Sequence, residues 1–350
     1  MATNKFLFLL HLPGPVHGSS IVGKYYQEHI VGKNDIVFPI QLAKNKLDIG
    51  RFSLLKLLKV SLQLFNIFLL SFKVEKFVLF YTSSGFLLYR DIIIRNILWR
   101  KKGYLVMHNK GIKDAIVPDF LLKSFFKNCE VILLAENLYS DVEKFAKYSD
   151  IHITPNCLFQ TCKIAPIEKD YSTLKFLFLS NLLRSKGVME AIALVKNLSD
   201  RGLNVHLDLV GMEMDVTIIE IQKSISGYED IITFHGPKYG NSKDQFLEKS
   251  NILIFPTRYP KECYPLVIIE SFAHSIPVLS LDNGAIRDII DNDLTGYVFD
   301  VSASVEIMED WIIGKTENEW KNMSVSAYDA YVNLYQLDQW IDITKKALIL

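Results

Sequence analysis

The chain has little of what staples, breaks or spans. Its 350 residues hold four cysteines, 11 prolines and 17 glycines, with no C-x-x-C pair. Cys129, Cys157, Cys162 and Cys263 therefore suit no disulfide framework and read as reduced thiols of a cytoplasmic protein. No apolar run approaches the roughly 20 residues of a membrane span. The longest, Val60 to Phe72, is interrupted by Gln63 and Asn66, so no transmembrane helix is expected. The opening stretch Phe6 to Leu12 has one preceding lysine, no A-x-A site and a Pro-Gly-Pro behind it, which makes it a buried first strand and not a signal peptide. Net charge is also missing: Lys+Arg and Asp+Glu both number 39. Taken whole, that count would argue against any charged partner, an inference that fails once the charge is counted by halves; no nucleic-acid partner is expected.

What is present is a folded globular composition, 49% hydrophobic and 22% charged, long enough for about two domains. The neutrality conceals a polarity. Up to Pro166 there are 22 Lys+Arg against 12 Asp+Glu, and beyond it 17 against 27, so a +10 half precedes a −10 half. Arg51, Lys56, Lys59, Lys73 and Lys76 flank the apolar stretch Leu54 to Phe72. Two readings of residues 51–76 stay open: an apolar face on an anionic membrane surface, or a core helix with solvated lysines.

Short runs rich in Phe, Ile and Val alternate with longer amphipathic stretches. In the first half the strands are expected at Phe6 to Leu12, Asp35 to Ile40, Phe77 to Thr82, Tyr104 to His108, Val131 to Ala135 and Ile151 to Thr154. In the second they are expected at Lys175 to Ser180, Val205 to Gly211, Ile231 to Gly236, Ile252 to Pro256, Val278 to Leu281 and Tyr297 to Asp300. Runs apolar on both faces suit parallel strands covered by helices, so the fold class is α/β with two Rossmann-like doubly wound domains. The expected division is 1–165, 166–330 and a C-terminal helix 331–350 returning to the first domain, with the linker between Cys162 and Thr173. Ligands of such sheets bind at the strands' carboxyl ends, so the two domains are expected to share a cleft.

The most informative stretch runs from Asn251 to Asp282. A buried strand ends at Pro256, a loop carries Glu262, and a helix is expected from Pro265, with Glu270 inside it. The N–H groups of Cys263, Tyr264 and Leu266 at that helix start can hold an anion. Spacing alone leaves open an ordinary helix behind a surface glutamate. Glu262, seven residues, then Glu270 and Ser271-Phe272-Ala273 resemble the E-x7-E signature of family 4 retaining glycosyltransferases, which have the GT-B fold. Leu179-Ser180-Asn181-Leu182 with Lys186-Gly187, then Val210-Gly211, Phe234-His235-Gly236, Asn283-Gly284-Ala285 and Thr295-Gly296-Tyr297 follow in that family's order.

The resemblance implies a donor site. Glu270 takes the nucleotide ribose, Glu262 the transferred sugar and Lys186 the diphosphate, while Gly236 and Pro237 flank the base. Where the family usually has Gly-Arg this chain has Ser180-Asn181, so one phosphate cation is missing and Arg184 is the expected replacement. In the first half, Leu12 to Ser20 follows the first strand as a loop of small residues; Gly18 and Ser19 are expected beside the diphosphate, with Ser19 or Ser20 capping a helix from Ile21. His108, before Gly111, is expected at a strand end near the donor sugar, and Ser83, Ser84 and Arg90 on the acceptor side. The catalytic set is thus Glu262, His108 and Lys186.

The activity implied is retaining transfer from a nucleotide sugar, UDP-hexose or UDP-N-acetylhexosamine, to a saccharide or lipid-linked saccharide of the cell surface. No metal and no cofactor is expected, the nucleotide sugar being a substrate. Two rivals remain: epimerase-like chemistry on the same fold, and a non-catalytic nucleotide-sugar binder, for which the missing Gly-Arg speaks.

Overall fold

A computed structural model describes residues 5–13, 18–42, 54–159 and 165–349. The chain divides into two compact units, Met1–Phe159 with Leu337–Leu350, and Gln160–Gln336. The divisions fall at 159 and 336, where the sequence suggested 165 and 330. The proposed linker lies partly outside the described residues.

The first unit runs β1 (Phe6–Leu10), α1 (Gly18–Tyr25), β2 (Ile36–Pro39), α2 (Leu54–Ser71), β3 (Lys76–Tyr81), α3 (Phe86–Ile97), β4 (Lys102–Met107), α4 (Asp119–Phe126), β5 (Cys129–Leu133) and β6 (Ile151–Ile153). All pairings are parallel, in the order β2-β1-β3-β4-β5-β6. The strands are apolar on both faces because both faces are covered: every residue of β1 and all but the first of β3 and β4 are buried.

The second unit runs β7 (Leu174–Leu179), α5 (Val188–Asp200), β8 (Val205–Val210), α6 (Ile218–Ser224), β9 (Ile232–Phe234), α7 (Asn241–Lys249), β10 (Ile252–Phe255), α8 (Leu266–Ala273), β11 (Val278–Leu281), α9 (Ile286–Ile289), β12 (Gly296–Phe299), α10 (Val305–Ile313) and α11 (Glu317–Leu334). Its sheet is parallel, ordered β12-β11-β10-β7-β8-β9. From β7 the chain first adds strands on one side and then, at β10, on the other. The crevice between the ends of β7 and β10 is therefore the topological switch point, where such sheets bind ligands.

Helix α11 opens with a capping box between Thr316 and Glu319. Its Trp320 is buried in the core of the second unit, its ring 6.0 Å from that of Tyr171. Only the following helix, α12 (Leu337–Ala347), joins the first unit, where Trp340 meets Tyr26 and Phe159 edge-on at 5.4 and 5.2 Å. The aromatic residues of the tail thus serve two cores.

Helix α2 departs from one of its two readings. Of its 18 residues only Val60, Ile67 and Ser71 are buried. Leu54, Leu58, Leu62, Phe65 and Leu69 recur every three or four residues, so they lie on one stripe, Phe72 follows in the turn behind the helix, and all six are exposed. It is not a core helix. By length and composition alone it could also cross a membrane, at mean hydropathy 1.6, which the sequence reading missed by starting the run at Val60. Yet β2 and β3 on either side of it both pair with β1. A helix joining two strands of one sheet is a crossover, so α2 lies against its unit.

Candidate functional site

The second unit gathers its chemistry at the carboxyl edge, from loops after five strands. Behind β7 the chain makes a short turn at Arg184–Lys186 and enters α5 through Gly187, whose φ is +84°. A Cβ there would meet the Pro256 carbonyl oxygen at 2.3 Å. Glycine is required by both conformation and space, and it lets the loops after β7 and β10 touch at the switch point. The Arg258 N–H donates to the Ser185 carbonyl at 2.7 Å.

This contact brings Lys186 to Glu262. The Lys186 Nζ donates to Glu262 Oε2, both side chains being nearly buried. The ammonium also lies over the rings of Phe255 and Tyr259, at 5.2 and 4.8 Å. Thr257, fully buried, places its Oγ1 3.2 Å from the same carboxylate oxygen. The backbone of Glu262 is fixed in turn by Gly284 (φ +62°), where a Cβ would stand 2.4 Å from the Glu262 carbonyl oxygen. The Ala285 N–H donates to the Cys263 carbonyl at 2.8 Å. Asn283 donates from Nδ2 to the carbonyl of Tyr259 at 3.0 Å. The Asn283-Gly284-Ala285 triplet thus acts by seating the Glu262 loop.

A second cluster joins the ends of β7, β8 and β9. A Cβ on Gly211 would strike the Ser180 carbonyl oxygen at 1.7 Å. The Gly211 N–H donates to the Gly236 carbonyl at 3.1 Å. Asn181 and Gly236 are thereby brought to one place, with Pro237 exposed beside them. Beneath them Asp208 Oδ1 meets His235 Nε2 at 2.6 Å and His206 Nε2 at 3.3 Å. Burial opposes its charge, but the hydrogen bonds and charges of the two imidazoles hold the Asp208 carboxyl below its usual range.

Glu270 stands in the second turn of α8 and pairs through Oε1 with Lys243 Nζ of α7 at 2.8 Å. Cys263, Tyr264 and Pro265 are buried immediately before that helix. Pro265 takes the cap position in extended conformation (ψ 114°) and Leu266 is the first helical residue. The helix thus begins one residue later than expected. Arg184 does not join the Lys186 pair. Its guanidinium is held by Glu220 on an exposed face, and its N–H donates to Asp215 at 2.9 Å.

In the first unit β4 ends at Met107, and His108 follows at its carboxyl end, buried, its ring centroid 4.3 Å from that of Phe80. The loop behind it is tied down by buried Asp141, whose Oδ2 accepts from the N–H groups of Gly111 and Ile112 at 2.9 and 3.0 Å. Two acceptor-side expectations fail. Arg90 is 1% exposed, bound to Asp91 at 2.7 Å and to the carbonyl of Ile40. Asp91 also accepts the Thr82 N–H at 2.8 Å, so the pair anchors the end of β3. Ser83 is buried and donates to the Lys110 carbonyl at 3.0 Å, leaving Ser84 half-buried at that edge. Gly18, Ser19 and Ser20 are already helical, so neither serine stands before α1 as its cap. Ser19 Oγ is 3.4 Å from His11 Nδ1. The loop residues 14–17 lie outside the described residues.

Lys243, Asp208 and Thr257 were not singled out from sequence. Thr257 had a signal, standing between a strand end and Glu262; Lys243 had none, being 27 positions from its partner. The triplet Asp291-Asn292-Asp293 spells Asp-x-Asp, which the expectation of no metal left out of account. In the structure it forms the turn into β12: Asn292 Oδ1 accepts the Val298 N–H at 2.8 Å, and Asp293 pairs with Lys315 at 2.6 Å.

Residues 162–328 match the family described as glycosyl transferases group 1. The chain is 24% identical over 307 residues to the capsular polysaccharide biosynthesis glycosyltransferase CapM of Staphylococcus aureus, covering 81% of this chain and 76% of the relative. Among solved structures it resembles Anabaena HepE with UDP and glucose bound (TM-score 0.73, 13% identity, 99% and 100% of the two chains). It also resembles the apo lipopolysaccharide outer core galactosyltransferase WaaB (TM-score 0.74, 14% identity, 99% of each). These likenesses carry the GT-B fold.

Proposed function

With residues 162–328 forming a glycosyl transferases group 1 domain and the chain a glycosyltransferase, we propose that it transfers a hexose or N-acetylhexosamine from a UDP-sugar to a saccharide or lipid-linked saccharide of the cell surface. The observation that carries this is the Lys186–Glu262 pair at the topological switch point of the second sheet, eight residues from Glu270 on α8. The Anabaena structure holding UDP and glucose and the capsular relative support the donor and the setting.

In this reading Lys186 leaves Glu262 for the diphosphate when donor arrives, with the backbone N–H groups at the start of α8 beside it. Glu262, released, accepts hydrogen bonds from the sugar hydroxyls, and Glu270 accepts from the ribose. Transfer proceeds with retention: the bond from the sugar's anomeric carbon to the phosphate oxygen breaks, the acceptor oxygen bonds on the same face, and its proton passes to the departing phosphate oxygen. No protein base and no metal takes part. Charge on the leaving phosphate is met by Lys186, while Arg184 stays with Glu220. In the first unit we assign sugar orientation to His108 and acceptor contact to Ser84. The exposed α2 stripe and the lysines around it support a seat for that unit on an anionic membrane surface.

The test is UDP binding by calorimetry. Lys186→Ala and Glu270→Ala each weaken it at least about tenfold; unaltered affinity in both removes the donor assignment. Sugar release that needs no acceptor would instead favour the epimerase-like rival.

A further inference from the structure

The first sheet has a second edge. At its amino side, where helices end and strands begin, cations collect at three successive strands. Lys73 and Lys76 lead into β3, Arg100, Lys101 and Lys102 into β4, and Lys127 into β5, with Lys76 and Lys102 directly paired in register. Beside them lies a cavity of about 690 Å³, and Trp99, Arg100, Lys101, Lys123, Lys127 and Lys147 are in its wall.

Glu75 stands between Lys73 and Lys76, but in the wall of the cavity itself the carboxylates do not balance the cations. Glu130 is spent on Lys102 at 2.5 Å and His152 at 2.6 Å, which leaves Asp150. Among the described residues, none of Arg100, Lys101, Lys123, Lys127 and Lys147 forms an ion pair. A cation at or just behind a helix end is favoured by the dipole, which accounts for Lys123 in the last turn of α4 and for Arg100, Lys101 and Lys127 one at a time. It does not account for Lys147, nor for all five opening into the same space, where like charges repel. The Arg100 guanidinium lies 4.7 Å over the Trp99 indole, itself 61% exposed, a stacking that leaves the fork of N–H donors free for an oxyanion.

We propose that this cavity is a phosphate-binding site, on the opposite edge of the sheet from His108. Arg100 grips the phosphate and the four lysines neutralise it. The phosphate belongs to an anionic lipid headgroup or to a small free phosphate compound. Continuity through Lys76 and Lys73 to the apolar stripe of α2 favours the headgroup, and only that choice of source rests on the membrane reading above.

The test compares the full-length chain with Arg100→Gln/Lys101→Gln/Lys123→Gln/Lys127→Gln. A control neutralises Lys223, Lys238, Lys249 and Lys346 in the same way. Flotation with phosphatidylglycerol–phosphatidylcholine vesicles and titration with inorganic pyrophosphate are run on all three. The difference between wild type and the cavity variant isolates the cavity whatever the donor site binds. At least a tenfold loss of vesicle binding in the cavity variant, with the control unchanged, establishes a headgroup site. A like loss for pyrophosphate alone establishes a site for free phosphate. Equal behaviour of the cavity variant and wild type in both arms, or an equal loss in the control, overturns the proposal.

Discussion

The two units share one plan, six parallel strands between helices, and finish their carboxyl edges differently. In the second unit, acids there meet basic side chains: Glu262 meets Lys186 and Glu270 meets Lys243 from other elements, and Asp208 meets the imidazoles of His206 on its own strand and of His235 behind β9. In the first unit the acids at that edge hold backbone, Asp91 doing so from within a fully buried pair with Arg90. Asp141 holds the N–H groups of Gly111 and Ile112, and Asp91 holds that of Thr82. An ion pair can exchange its partner for a charged ligand, whereas a carboxylate bound to backbone fixes a loop. The second unit is therefore built to receive charge, and the first to hold its loops still. The apolar surface of the first unit lies away from its strand ends on α2, and Arg100, Lys101, Lys123, Lys127 and Lys147, which form no ion pair among the described residues, lie at the amino edge.

Gly187→Ala should break this contrast most sharply. The new Cβ needs a left-handed residue to tolerate a side chain and the Pro256 carbonyl to retreat. We expect destabilisation of about 3 kcal/mol and loss of UDP binding, because Lys186 and Glu262 part when the loops after β7 and β10 separate. Chemical unfolding with calorimetry checks it. Unchanged stability would mean that the two loops do not depend on their contact.

All twelve strands among the described residues were legible because runs apolar on both faces have few alternatives in an α/β chain. The Glu262, Glu270 and Lys186 positions were legible as a motif, but their partners were not. Lys243 reaches Glu270 from a polar helix with no pattern of its own, and the His206–Asp208–His235 cluster depends on the register of β8 against β9. Arg90 misled because an arginine near a strand end reads as exposed; its partners are the adjacent Asp91 and a carbonyl 50 residues away. For α2 the apolar stripe was visible, but periodicity says that a helix has an apolar face and not which way the face turns.

A smaller effect sharpens the account of the second unit. Lys169 is buried and donates to the carbonyls of Leu247 and Glu248 at 3.1 and 2.8 Å, at the end of α7. Burial lowers its pKa to about 8. Between pH 8 and its ordinary value the unfolded chain holds a proton that the folded chain has lost, so this group makes stability rise with pH, by at most about 1.4 kcal/mol per unit. Below pH 8 the slope vanishes. Lys169→Met removes it, and urea midpoints of both proteins at pH 8, 9 and 10 measure the difference. Parallel curves would show that Lys169 is not desolvated.

The smallest effect on stability is expected where the chain is most apolar. Leu58, Leu62 and Phe65 are 58%, 55% and 59% exposed. Exchanging all three for serine uncovers no core surface, so the midpoint of thermal unfolding should move by no more than about 2 °C, as for other surface substitutions. Binding to anionic vesicles should fall together with it, because the stripe supplies the area that inserts. A second copy of the chain is a poorer occupant: Lys59 and Lys73 flank the stripe and α2 carries no acid, so pairing two stripes brings like charges together. Light scattering decides between the two, since a stripe that joins copies would leave a dimer in wild type and a monomer in the variant. A fall in stability of several degrees would instead place α2 against protein, and the contrast between a second unit that keeps its unmet chemistry at its strand ends and a first that keeps it outside would be lost.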